Sequence, residues 1–172
     1  GYISYETAVN TRNSLEDGSY ERLLLTFYTD IPPNRSDFHD TKIYKKEPKE
    51  SVGNYIVLNK NSGKLVMNDY KTADKHGKNI IELPKETLRQ IHLSLEKNPR
   101  EYLFVSSSTN KSYSNLKNPD RAFNQWANRT LKKIFDNDDF SLTMLRHSYI
   151  SRKDLKLNEK TGLERAELAK VM

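Results

Sequence analysis

The spacing of apolar residues changes twice along this chain, and that change limits the fold more than any single motif. From Tyr20 to Ile31, apolar residues at 23, 24, 27, 28 and 31 follow the rhythm of a buried helix. Pro32-Pro33 ends it, because proline lacks an N–H and restricts the residue before it. Residues 40–44, 54–58, 64–67 and 79–83 are instead short and β-rich, with Asn61-Ser62-Gly63 and His76-Gly77-Lys78 supplying turn chemistry between them. Helical spacing returns after Pro84, where Leu88, Ile91 and Leu95 make one stripe. Tyr102 to Val105 reads as a brief extended segment. Asn118-Pro119 reads as an N-cap with a first-turn proline, opening a helix that buries Phe123, Trp126, Thr130, Leu131 and Ile134 and exposes Arg121, Arg129, Lys132 and Lys133. A further helix covers about 141–153, and Thr161-Gly162-Leu163-Glu164 has the spacing of a capping box opening another. Helices, a small sheet, then helices predict an α+β domain, mostly helical, with an antiparallel sheet of three or four strands.

A length of 172 residues suits one domain, with 1–18 as an N-terminal helix or linker. No run approaches the ~20 apolar residues that span a bilayer, and the first residues carry no secretory pattern. The absence of cysteine excludes disulfides, thiolate nucleophiles and cysteine-based zinc sites, and it fits a reducing, intracellular setting (nucleus or cytoplasm) rather than secretion. The net charge of +6 favours a polyanionic partner, since each phosphate neutralised releases counterions, although a basic surface without such a partner is equally common.

Three stretches carry candidate chemistry. In Phe140-Ser-Leu-Thr-Met-Leu-Arg-His-Ser-Tyr-Ile150, Arg146 has Leu142, Thr143, Tyr149 and Ile150 as its helical neighbours, so it must snorkel, pair with an acid or face an anion. In Pro32-Pro-Asn-Arg-Ser-Asp-Phe38, a rigid turn follows a core helix and presents Arg35 beside Asp37. Between two strands, residues 68–78 carry Lys71, Lys75 and Lys78, a solvated tip or one that reaches a phosphate. Taken singly, each stretch has an ordinary structural explanation. His92 reads as a core-edge histidine, His39 and His76 as loop residues, and Trp126 as a helix anchor.

In order and content the three stretches resemble the catalytic domain of the tyrosine recombinases (integrases), of the type carried by large DNA viruses and mobile elements. The resemblance covers most of the chain from Tyr20. It implies Arg35 as the first arginine, Lys71 as the hairpin lysine, and Arg146 as the second arginine with His147 in support. Thr143 stands where the family usually has histidine. Strict spacing to the acid at Asp37 puts Asn34, rather than its neighbour Arg35, in the first arginine slot. The family's last His or Trp and its nucleophilic tyrosine would fall beyond Met172, and none of the ten tyrosines occupies that place.

The resemblance implies site-specific DNA recombination or integration. A tyrosine attacks a backbone phosphate and leaves a 3′-phosphotyrosyl link, two arginines stabilise the added negative charge, and Lys71 protonates the departing 5′-oxygen. Neither ATP, a metal nor another cofactor is implied. The partner is double-stranded DNA, held by a tetramer of the intact protein, with no membrane involved. Lys75, Arg129, Lys132 and Lys133 are candidate backbone contacts. The chain as written is expected to hold DNA without breaking it. The alternatives are a degenerate recombinase serving as a DNA-binding module, a type IB topoisomerase-like domain, and a basic scaffold for a protein partner.

Overall fold

Burial on every side of one helix organises the molecule. The computed structural model describes residues 3–32, 38–50, 53–68 and 79–157, with side chains up to 152. Helix α1 spans Tyr5–Ser14 and α2 spans Tyr20–Thr29; each is opened by a serine, Ser4 or Ser19, whose hydroxyl accepts a backbone N–H. Seven consecutive residues of α2, Leu23 to Thr29, are buried. The cause is its position: α2 packs against each of the other described helices, α1, α3 (Lys85–Lys97), α4 (Pro119–Phe135) and α5 (Leu142–Leu157). An amphipathic helix needs only one dry face, whereas this one is dry on every side from Leu23 onward.

Strands β1 (Lys42–Tyr44), β2 (Tyr55–Leu58), β3 (Gly63–Met67) and β4 (Asn79–Glu82) form one sheet in that order. The α+β class is as expected, but the sheet is mixed rather than wholly antiparallel. β2–β3 and β3–β4 pair antiparallel, while β1 pairs parallel to β2. The antiparallel expectation fails at β1 because strand composition reports burial, not direction. Its other edge is taken by the 101–103 segment: Ile43 donates to the Glu101 carbonyl at 2.7 Å and Leu103 to the Thr41 carbonyl at 2.9 Å. Alternation along the strands sends Ile56, Leu65 and Met67 into the main core and Tyr55, Val57 and Val66 to a second, smaller cluster on the opposite face.

Gly63 has a role other than the turn the sequence suggests. It lies in β3, and a Cβ there would stand 2.8 Å from Leu83 Cδ1 and 3.1 Å from Leu88 Cδ1, so the glycine lets α3 sit down on the sheet. Around α2, an aromatic group of Tyr20, Phe27, Phe38, Phe104, Phe123 and Trp126 knits the helices together through edge and tilted contacts. Trp126 anchors its helix as expected; with Thr130 and Ile134 it is half-buried, while Phe123, Ala127 and Leu131 are fully inside. Among the described residues no helix is long and apolar enough to cross a membrane.

Candidate functional site

The site expected from the sequence has its described half on α5. Ser141 precedes the helix, and its hydroxyl accepts the Met144 N–H at 3.4 Å. The Leu142 N–H, one of the four a helix start leaves without an intrahelical partner, is taken by the side-chain oxygen of Asn128 at 3.0 Å. Leu142, Leu145, Ser148 and Tyr149 are buried, whereas Thr143 and His147 are exposed. At about 100° per residue, Thr143, Arg146 and His147 fall within one arc of the helix. Arg146 sits at the margin of that arc, half-buried, with its Nε inside the protein. It engages in polar or electrostatic contact there. Arg146 thus stands half-buried at the border of the exposed face.

Lys71, Lys75, Arg35 and the neighbouring Asn34 and Asp37 lie outside the described residues, as does the helix start at Thr161. What flanks them is described. Phe38, fully buried, closes the 33–37 stretch by packing edge-on against Phe27 and Tyr28 at 5.2 and 5.5 Å. His39 follows, with Nδ1 3.0 Å from the Asp120 carboxylate in the first turn of α4. The lysine-bearing stretch 69–78 joins two paired strands whose last described pair is Met67 with Asn79. Its base is pinned by Asn68, which donates from its backbone to the Asn54 side chain at 2.7 Å and from its own side chain to the Gly53 carbonyl at 2.8 Å.

The second cationic feature is α4. Arg121, Arg129, Lys132 and Lys133 are exposed as expected, with Gln125 between them. Their positions fall within an arc of about 120° and span about 18 Å of helix. Elsewhere several arginines are committed to the fold: Arg12 to Asp30 and Thr29, Arg22 to Asp17 and Glu86, Arg100 to the carbonyls of Ser94, Asn98 and Leu103. Hydrogen bonds from Gln90 and then Arg89 hold the Asp17 carboxyl below its ordinary range, which ties the α1–α2 turn to α3.

The described tyrosines with resolved shifts are held in the protonated form. Burial raises the phenols of Tyr5, Tyr20 and Tyr149 above their ordinary value and pushes Tyr113 up to about 12. An attacking phenol is activated by the opposite shift or by a neighbouring base that takes its proton. Sequence reasoning missed a cluster beside Arg146 in which Tyr5 of α1 meets Tyr149 and Arg152 of α5. It also missed the His39–Asp120 contact. Neither is periodic in the sequence, so neither leaves a pattern to read. No family model, curated protein or solved structure matches the chain.

Proposed function

We propose that this chain is the phosphate-holding part of a DNA-breaking and rejoining domain of the tyrosine recombinase type. The observation that carries the reading is the exposed face of α5, where half-buried Arg146 stands beside Thr143 and His147 on a helix braced by α4. A guanidinium already desolvated on one side suits a phosphodiester oxygen better than a fully solvated surface cation does. The exposed cations of α4 add a second surface of matching charge.

In this reading Arg35 and Arg146 stabilise the charge that builds on phosphorus, and Lys71 gives its proton to the leaving 5′-oxygen. His147 and the Thr143 hydroxyl donate to the same phosphate. The attacking tyrosine forms a bond to phosphorus as the P–O5′ bond breaks, and ligation reverses both events without ATP. The intact protein recombines or integrates DNA inside the cell as a tetramer. Thr143, a hydroxyl where the family has an imidazole, favours one further reading: a recombinase fold kept as a DNA-binding module without the chemistry.

Binding of a short labelled duplex, followed against salt, tests the core of the proposal. Arg146→Ala is expected to weaken binding at least tenfold while the salt slope stays steep; unchanged affinity would refute the assignment. Incubation with nicked duplex then separates the readings. Residues 1–172 are expected to give no covalent adduct, and an adduct from this exact chain would make one of its own tyrosines the nucleophile.

A further inference from the structure

Tyr5 is in contact with two helices at once. Its hydroxyl donates to the Thr29 carbonyl at 2.6 Å, and Thr29 is the last residue of α2, where carbonyls have lost their intrahelical partners. The ring meets Tyr149 of α5 edge to face, with centroids 6.0 Å apart and planes at 72°. The guanidinium of Arg152, one turn further along α5, lies 4.7 Å from the centre of the same ring. α1 itself is fixed: Ser4 caps its start, and near its end Arg12 donates to Thr29 Oγ1 at 2.8 Å and pairs with Asp30. Tyr5 is therefore a rigid post standing between the end of α2 and the side of α5.

The position of this post relative to Arg146 gives it a consequence. Residues 146 and 149 are neighbours on one side of a helix, about 60° apart around its axis. Contacts that hold Tyr149 and Arg152 against Tyr5 constrain the rotation of α5 beyond its buried Leu142 and Leu145, and with it the direction in which Arg146 leaves the helix. Tyr149 is buried, but neither it nor Tyr5 belongs to the main hydrophobic cluster. A contact made only to bury surface would also have no need of the hydroxyl on Thr29.

We infer that Tyr5 is a positioning residue that sets the rotation of α5 and so aims Arg146 at a DNA phosphate. The inference rests on the reading of Arg146 as a phosphate ligand given above. It assigns to α1, which by sequence reads only as an N-terminal helix or linker, a part in presenting the site.

The test is a double-mutant cycle in the full chain with Tyr5→Phe and Arg146→Ala, read by binding of a short labelled DNA duplex at fixed salt. Tyr5→Phe keeps the ring and loses the anchor; it is expected to weaken binding severalfold, and Tyr5→Ala to weaken it more, with the Phe variant's thermal midpoint close to the parent's. In the Arg146→Ala background the Tyr5→Phe change is expected to cost nothing further. An equal loss in both backgrounds, or no loss beside intact Arg146, overturns the inference and leaves the phosphate reading standing. If Arg146→Ala alone has no effect, the phosphate reading falls instead. The link between the two residues is then decided by the Nε–Hε resonance of Arg146 in DNA-free protein, expected to shift on Tyr5→Phe; an unmoved resonance sinks it. Should the Tyr5 variants fail to fold, Arg152→Gln removes the guanidinium from the same ring and is expected to reproduce the binding loss, whereas unaltered binding rejects the inference.

Discussion

Asn128 of α4 holds the first turn of α5: its side-chain oxygen accepts the Leu142 N–H at 3.0 Å, and Leu142 is itself buried. One residue of the cation-bearing helix thus satisfies an orphan donor on the helix that carries Arg146. Asn128→Leu leaves that donor without its partner and is expected to cost about 1 kcal/mol. Asn128→Asp keeps the acceptor and places a negative charge near a helix start, so its urea midpoint is expected to match the parent or exceed it. A destabilised Asp variant would mean that the amide nitrogen, not the oxygen, is what matters there.

Asp30 caps the C-terminal end of α2, where the helix dipole disfavours a carboxylate, and Arg12 offsets this with an ion pair whose side chains are 10% and 18% exposed. Arg12→Ala strands the carboxylate and is expected to lose about 3 kcal/mol in denaturant titration. Replacing both partners, Arg12→Met with Asp30→Leu, is expected to restore most of the loss, because the penalty belongs to the unpaired charge.

Two glycines separate backbone strain from side-chain crowding. Gly18 has φ +76°, and a Cβ there would lie 2.8 Å from the main-chain carbonyl carbon of Leu93, which cannot move without α3. Gly63 is crowded chiefly by the tips of Leu83 and Leu88, which can rotate. Gly18→Ala is therefore expected to cost about 3 kcal/mol and Gly63→Ala nearer to about 1 kcal/mol by thermal unfolding. The reverse ranking would show the sheet–helix contact to be the tighter of the two.

The sequence made the elements legible where burial is one-sided and periodic. The α3 stripe of Leu88 and Ile91, the α4 division between Phe123 or Leu131 and the exposed cations, and the four strands all follow from spacing. The parallel sense of β1 was not legible, because direction is set by which way the chain between β1 and β2 returns, and strand composition does not record that. Nor was the work of α1. Its sequence, Tyr-Glu-Thr-Ala-Val-Asn-Thr-Arg-Asn-Ser, acts through one hydroxyl, one ring and one guanidinium rather than an apolar stripe. Of the expected site, Arg146, Thr143 and His147 share a helix face as the spacing required. Arg35, Lys71 and Lys75 lie outside the described residues, so their approach to Arg146 stays an expectation.

Stability is expected to fall in alkali. Burial raises Tyr5, Tyr20, Tyr149 and, to about 12, Tyr113 above the ordinary phenol value of 10.0. A group whose folded pKa is the higher one keeps its proton in the native state while the unfolded chain gives it up. The contribution is complete below the unfolded value and is lost as pH rises from there through the folded one. For Tyr113 that window runs from about pH 10 to about pH 12, with a slope of at most about 1.4 kcal/mol per pH unit for each such tyrosine. Urea midpoints across this range, read beside tyrosinate absorbance, check it; a midpoint that stays flat would mean the phenols ionise without unfolding.

The exposed arc of α4 makes the most direct claim on DNA. Arg129, Lys132 and Lys133 are open to solvent, so each replacement by alanine is expected to leave the stability within about 0.5 kcal/mol of the parent. If each meets a phosphate, every substitution removes about 0.9 from the slope of log affinity against log salt, and the triple variant should lose roughly two to three in slope. Affinity at moderate salt falls with it, for any duplex sequence, since backbone contacts carry no base information. Arg146→Ala is expected to behave otherwise: a directed contact to one phosphate changes the slope by about one yet costs more affinity than a solvated lysine does. A triple α4 variant that keeps the parent slope would move the DNA off this helix and leave α5 as the sole described contact.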